Sequence, residues 1–234
     1  MKLDELFDSQ PVRLAVVGTG TGIGKTHLSV ALLHALALQG HSAVGLKPVE
    51  SGLGEGESDT SRLAAAGVFH VKHPAPYRFP DPVSPHLAAR RAGVKIELAR
   101  IVAWVAACAA PWTIIETAGG LLSPLAPGIT NLDLVRLLAP DVILLVGVDR
   151  LGVLHDVTAC LLALNSSPGL LPTPVVVLQA PEVADGSTST NAEELVTLGL
   201  LSEAFTLPRG TASETITVDA ARAVLEHIQA RRLG

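Results

Sequence analysis

Residues 18–29 read GTGTGIGKTHLS and directly follow the apolar run VRLAVV (12–17). The run has the length and valine content of a buried strand, and the chain from Lys25 onward has the composition of a helix. Between them, Gly20, Gly22 and Gly24 leave the backbone bare. Backbone N–H groups can then turn inward around an anion, and the helix adds its unpaired N–H groups and the positive end of its dipole. In such a loop Lys25 reaches the β- and γ-phosphates of a nucleotide, and Thr26 offers its hydroxyl to Mg²⁺. The spacing departs from the usual Gly, four residues, Gly-Lys-Ser/Thr. Thr19 stands five residues before Gly24, and the matching glycine is Gly18, one place earlier. The strand before and the helix after carry the reading. Alone, the loop says only nucleoside triphosphate; a kinase, a GTPase, a transport motor and a ligase all remain open.

Beyond the loop, the chain alternates apolar runs with helical stretches. Continuous runs at 13–17, 42–46, 112–116, 142–147 and 174–179, with a weaker one at 204–207, read as strands buried on both faces. Helices are expected at 25–39, 59–66, 95–109, 131–139, 152–164, 191–199 and 215–232. This order predicts an α/β fold: a doubly wound, mainly parallel sheet with helices on both faces, P-loop NTPase-like, in a single domain over 1–234. Stretches rich in Pro and Gly at 47–58, 73–85, 117–130 and 180–190 read as loops, and 180–190 reads equally as a structureless linker. Loops at the carboxyl ends of parallel strands are where this architecture holds ligands.

Composition narrows the function further. Aromatic residues are 3% of the chain against 48% hydrophobic, so Ala, Val, Leu and Ile must build the core. The net charge of −5 speaks against a broad nucleic-acid surface, while 17 Lys and Arg suffice for one local anion site. Cys108 and Cys160 lie far apart in apolar stretches and read as buried free thiols. The opening MKLDELFDSQ carries acids and no apolar block, unlike a targeting peptide, and no run reaches the ~18 apolar residues of a membrane span. The expectation is a cytoplasmic protein without a membrane partner.

Two further loops carry chemistry. GLKPVESG (45–52) puts Lys47 at a strand end, before a proline that keeps the backbone extended. An ammonium there can neutralise an anionic nucleophile or a γ-phosphate. ESDTSRLAAAG (57–67) puts Asp59 at a helix start, as a cap or as a metal ligand. WTIIETAGGLLSPL (112–125) ends a buried strand in Glu116, a carboxylate that metal coordination opposite Thr26 explains better than packing. Gly119 and Gly120 let backbone approach the reacting phosphate.

The segments GTGTGIGKT, GLKPVESG, SDTSRLA, PYRFPDPVSPHLAA, ETAGGLLSPL and ILLVGVDRLGVLHDV, in this order, resemble the dethiobiotin synthetase family over about two-thirds of the chain. The resemblance implies a cyclo-ligase that takes 7,8-diaminononanoate, CO₂ and ATP to dethiobiotin, ADP and phosphate, through a carbamate and a carbamic–phosphoric anhydride. It implies catalytic roles for Lys47, Lys25, Thr21 and Ser51, with Thr21, Lys47 and Ser51 on the substrate. It implies Mg²⁺ on Thr26, Asp59 and Glu116, with Gly22, Ile23, Gly24, Lys25, Thr26, His27, Glu116 and Gly119 around the nucleotide. Adenine is expected near Gln179 and the turn of Pro208, Arg209 and Gly210. The family's homodimer places active sites at the interface, and Gly152, Val153 and His155 match the part that receives the substrate carboxylate from the neighbouring subunit.

The chain departs from the family pattern in places. Gln179 stands for the usual Asn, Gly20 and Gly22 stand where acids are common, and Thr117 stands within a usual Glu-Gly-Ala-Gly-Gly. These changes put the choice among nucleoside triphosphates in question. A partition-type P-loop ATPase, an amide-forming ligase and a non-catalytic nucleotide-binding module are the alternatives. The absence of a second lysine in GTGTG and the presence of KPVESG count against the partition type. His86 and Trp104 read as structural.

Overall fold

The computed structural model describes residues 11–54, 56–69, 71, 73–166 and 171–233; the opening segment, read above as unlike a targeting peptide, lies outside them. In chain order the elements are β1 (Val12–Gly18), α1 (Lys25–Leu38), β2 (Ala43–Leu46), β3 (Val49–Ser51), α2 (Asp59–Ala66), β4 (Tyr77–Phe79), α3 (Pro85–Arg91), α4 (Leu98–Ala107) and β5 (Trp112–Glu116). They continue with β6 (Pro124–Ala126), β7 (Ile129–Thr130), α5 (Asn131–Leu138), β8 (Val142–Val148), α6 (Val153–Asn165), β9 (Val175–Gln179), α7 (Asn191–Thr197), β10 (Ala204–Leu207) and α8 (Thr215–Leu233).

Six strands form one sheet in the order β10-β9-β8-β1-β5-β2, every pairing parallel. The α/β doubly wound expectation therefore holds. From β1 the chain runs first toward β2 and β5, then reverses toward β8, β9 and β10. The phosphate loop leaves β1 at that reversal, where a crevice opens between the strand ends.

Strand alternation decides which side chain meets which helix layer. Leu14 and Val16 of β1 and Ile114 of β5 pack against α1 and α8, whose Leu28, Leu32, Val224 and Leu225 are buried. On the other face, Ala15, Val17, Ile143 and Leu145 meet Val135 of α5 and Val157 of α6. Ile115 and Leu46 meet Ile101 and Val105 of α4. Glu116 is in register with Val16 and on the same side as Ile114, so it faces α1.

Three regions differ from the sequence expectation. The loop at 47–58 contains β3, which pairs in parallel with β4. The loop at 117–130 contains the antiparallel pair β6 and β7. Helix α3, with Pro85 in its first turn, is an addition to the expected elements; His86 in it bonds Ser84 Oγ through Nδ1 at 3.0 Å. Segment 181–190 has no regular element, yet it is not a slack linker. Asp185 accepts from Ser187 N, and buried Asp149 accepts from Ser189 N and Asn191 Nδ2 at 2.8 and 2.7 Å. Trp104 of α4 packs, partly buried, against the core and donates to the His73 carbonyl. Cys160 is buried and Cys108 half-buried, both as free thiols. Among the described residues no helix is long and apolar enough to cross a membrane.

Candidate active site

The ends of β1, β2 and β5 and the start of α2 enclose a cleft of about 330 Å³. It brings together Thr21, Gly22, Ile23, Gly24, Lys25, Thr26, His27, Lys47, Ser51, Asp59, Glu116 and Gly119, all expected from sequence, with Arg62 and Ala118.

Local geometry explains the gathering. Gly24 immediately precedes α1 at φ 94°, a left-handed conformation that side chains resist, and a β-carbon there would stand 2.8 Å from Gln179 Cγ. Its bare backbone turns the chain into α1 and presents Lys25 and Thr26 to the cleft. Asp59 need not cap α2. Ser58 does so, accepting from Ser61 N at 3.1 Å, which leaves Asp59 free to face Lys47.

The polar centre is a continuous network. Glu116 is fully buried; its Oε1 accepts from Thr26 Oγ1 and Lys47 Nζ, each at 2.8 Å. Ser29 Oγ lies 3.0 Å from Glu116 Oε2 and 2.9 Å from the Lys25 carbonyl, sharing one proton between them. Lys47 Nζ also donates to Asp59 Oδ2. Burial pushes the Lys47 ammonium down, but Glu116 and Asp59 together outweigh it and hold Lys47 above its ordinary range. Burial likewise works against the charge of Asp59, and Lys47, Thr26 and Arg62 overcome it to hold the carboxyl below its ordinary range. Lys25 bonds no carboxylate, and its burial outweighs the more distant attraction of Glu116 and Asp59. Its Nζ donates to the Gly20 carbonyl at 2.9 Å, and burial, aided by the charge of Lys47, brings it down to about 8.

Among the described residues no three His, Cys, Asp or Glu side chains form a metal-binding group. Two carboxylates and a hydroxyl around one cationic point are a different pattern. Mg²⁺ commonly takes one or two carboxylates and completes its shell with phosphate oxygens and water. The set of Thr26, Asp59 and Glu116 fits that donor chemistry, and Lys47 Nζ marks the point where positive charge is already stabilised.

Ser51 donates its hydroxyl proton to the Val83 carbonyl at 2.7 Å, so toward a ligand it acts as an acceptor. Gly119 has φ 77°, and a β-carbon on it would crowd Ser123 Oγ at 2.7 Å and Thr21 Oγ1 at 3.4 Å.

The remaining expected residues lie outside this cleft. Gln179 is buried, and its amide N–H groups go to the Leu207 and Pro208 carbonyls at 3.3 and 3.1 Å. Its Oε1 is 2.7 Å from His27 Nδ1. The amide therefore ties the end of β9 to the 207–210 turn and to α1, rather than standing free for a base edge. Arg209 is exposed beside Glu182. At the start of α6, Gly152 and His155 are exposed, whereas Val153 belongs to the core and its N–H already donates to the Arg150 carbonyl.

Two contributors were missed from sequence. Buried Glu50 accepts from Asp59 N at 2.7 Å and from Thr60 Oγ1, fastening the first turn of α2 to β3. Arg62, one turn beyond Asp59, brings a third cation to the cleft; its helical spacing from Asp59 was the available signal.

A family model described as an AAA domain matches residues 12–232. The ATP-dependent dethiobiotin synthetase BioD of Anaeromyxobacter dehalogenans (strain 2CP-C) is 38% identical over 190 residues, covering 79% of this chain and 84% of that protein. That of Xanthomonas oryzae pv. oryzae (strain PXO99A) is 42% identical over 155 residues, 62% of this chain and 69% of that protein. Among solved structures, a ParA family ATPase from Chlorobium tepidum TLS superposes with a TM-score of 0.56 at 13% identity, over 97% of this chain and 99% of that one. Chloroplast FtsY from Physcomitrella patens gives 0.56 at 16% identity, over 91% and 66%. At such identities these two show the fold alone, a P-loop NTPase fold.

Proposed function

Because the chain belongs to the dethiobiotin synthetase family, we propose that it closes 7,8-diaminononanoate and CO₂ into the cyclic urea of dethiobiotin at the expense of ATP. The observation that carries this reading is the meeting of Lys25, Thr26, Lys47, Ser51, Asp59 and Glu116 in one cleft at the sheet's reversal point.

One amine of the substrate adds to CO₂ and loses a proton, giving a carbamate. A carbamate oxygen attacks the γ-phosphorus of ATP and ADP departs, leaving a carbamic–phosphoric anhydride. The second amine attacks the carbonyl carbon and expels phosphate; loss of a proton completes the ring. None of these steps needs an enzyme nucleophile. Each gathers negative charge on oxygen, so fixed cations and positioning supply the acceleration. Lys25 serves the β- and γ-phosphates, and Lys47 serves the carbamate and the phosphoryl group in transfer. Ser51, its proton committed to Val83, accepts an N–H of the diamine, and Thr21 bonds the same end of the substrate.

Thr26, Asp59 and Glu116 are the residues that would hold Mg²⁺, which when bound neutralises β- and γ-phosphate oxygens. Gly22 to His27, with Gly119, surround the phosphates. Adenine rests against the wall built by Gln179 and Pro208–Gly210; with the Gln179 amide already bonded, that wall reads shape more than hydrogen bonds, in keeping with use of other nucleoside triphosphates. The substrate carboxylate is received at Gly152–His155 of a neighbouring subunit in a homodimer. Leu151 beside it, 75% exposed, is an apolar side chain suited to such an interface.

The test is ADP release measured with and without diaminononanoate and bicarbonate. Release that requires both, with dethiobiotin formed in equal amount, is expected. Equal hydrolysis without them would point to a partition-type ATPase, and no hydrolysis to a binding module.

A further inference from the structure

Lys47 occupies an unusual place for a residue assigned to the substrate. The residue is 6% exposed, and its ammonium lies 2.8 Å from Glu116 Oε1 and also bonds Asp59 Oδ2. Glu116 Oε1 is the oxygen that Thr26 approaches at 2.8 Å. Lys47 thus bonds two of the three side chains assigned above to Mg²⁺ and shares Glu116 Oε1 with the third, Thr26, and the present inference rests on that assignment.

The two cations need the same oxygens. Mg²⁺ draws its ligands to about 2.0–2.1 Å in an octahedron, which leaves no room for an ammonium at the centre. Like charges that close also repel. Conversely, Glu116 is fully buried, and a buried carboxylate without a cation is strongly disfavoured. Emptying the site of both cations is therefore costly. The lysine stem is long and flexible, and the cleft continues from Lys47 to Ser51 and Arg62.

We infer that Lys47 is the resident counter-cation of the metal site, displaced when Mg²⁺ and nucleotide enter. The displacement sends its ammonium into the substrate end of the cleft. Lys47 is therefore available to the carbamate only after the metal is in place, and nucleotide-free protein discriminates against bare divalent ions. Lys25 has no such role: its ammonium bonds the Gly20 carbonyl rather than a carboxylate.

Mn²⁺ binding to nucleotide-free protein, followed by electron paramagnetic resonance, tests this in four proteins. Lys47→Met should bind Mn²⁺ about tenfold or more tightly than the unsubstituted chain, because the competitor is gone. Lys25→Met, with the same charge removed nearby, should change affinity by no more than about threefold. Equal tightening in both variants, or none in Lys47→Met, overturns the inference. Glu116→Gln should weaken Mn²⁺ binding. If it does while Lys47→Met does not tighten it, displacement alone fails; if Glu116→Gln changes nothing, the metal assignment itself fails. Should Lys47→Met not fold, a crystal structure of the unsubstituted protein with Mg²⁺ and ADP decides. Lys47 Nζ should then lie beyond ~4 Å, the limit of an ion pair, from both carboxylates. Nζ still bonded to Glu116 beside the metal overturns the inference.

Discussion

Lys47 and Glu50 stand three residues apart in one loop and act in opposite ways. Lys47 reaches into the cleft toward Glu116; Glu50 holds the helix that supplies Asp59. Lys47→Ala should lower turnover by about 10²–10³-fold or more while nucleotide still binds, as losses of fixed transition-state charge do. Steady-state rates beside ADP titration calorimetry check it, and near-normal turnover would remove Lys47 from the chemistry. The same change strands buried Glu116, a loss worth about 3–5 kcal/mol that hydrogen bonds from Thr26 and Ser29 partly offset, so the variant should also melt earlier. Glu50→Gln keeps the side chain's size but weakens its grip on Asp59 N and Thr60. It should raise the Mg²⁺ concentration for half-maximal ADP formation about tenfold with a circular dichroism spectrum unchanged, on the order of the loss expected for a supporting residue behind a metal ligand. An unmoved Mg²⁺ titration would leave Glu50 only a structural part. Lys47 and Glu116 are legible in the sequence because apolar packing gives no reason to end a buried strand in a charge. Asp59 is ambiguous there, since a helix start accounts for an Asp equally well until Ser58 is seen to cap. Glu50 leaves no signal, for it grips a helix start nine residues ahead across a fold that sequence spacing does not reveal.

Long apolar runs declare their strands because burial on both faces requires an unbroken apolar sequence. Their lateral order does not follow from that. β1 lies between β5 and β8, and such pairings are settled by long-range contacts rather than local pattern. Short pieces escape for a related reason: two or three residues in β3, β4, β6 and β7 show no period. Segment 181–190 is the clearest case, ordered by side chains with no ladder of its own. Buried Asp149 takes bonds from Ser189 N and Asn191 Nδ2, and Asp185 takes one from Leu151 N at 2.8 Å. Asp149→Ala should destabilise the protein by about 1.5–3 kcal/mol, because it removes the hydrogen bonds that a buried carboxylate accepts from Ser189 N and Asn191 Nδ2. Urea denaturation measures this, and an unchanged midpoint would make the segment a passive tether.

At the scale of the molecule, a net charge of −5 goes with a cleft that gathers Lys25, Lys47 and Arg62 around Asp59 and Glu116, a local excess of cations on an acidic protein. Assembly belongs to this scale too. If the proposed homodimer forms through this surface, Leu151→Asp should shift the sedimentation-velocity profile toward monomer, with the loss of rate recovered at high protein concentration; an unaltered profile would contradict the proposed interface. The central claim is that ATP phosphorylates captured CO₂ as a carbamate at the point where Lys25 and Lys47 converge. Oxygen bookkeeping tests it most directly. Turnover with ¹⁸O-labelled CO₂ in ordinary water, quenched before the label exchanges, should place one ¹⁸O in the phosphate released, since the oxygen that attacks phosphorus leaves with it. Phosphate carrying no label from CO₂ while dethiobiotin forms would contradict the account.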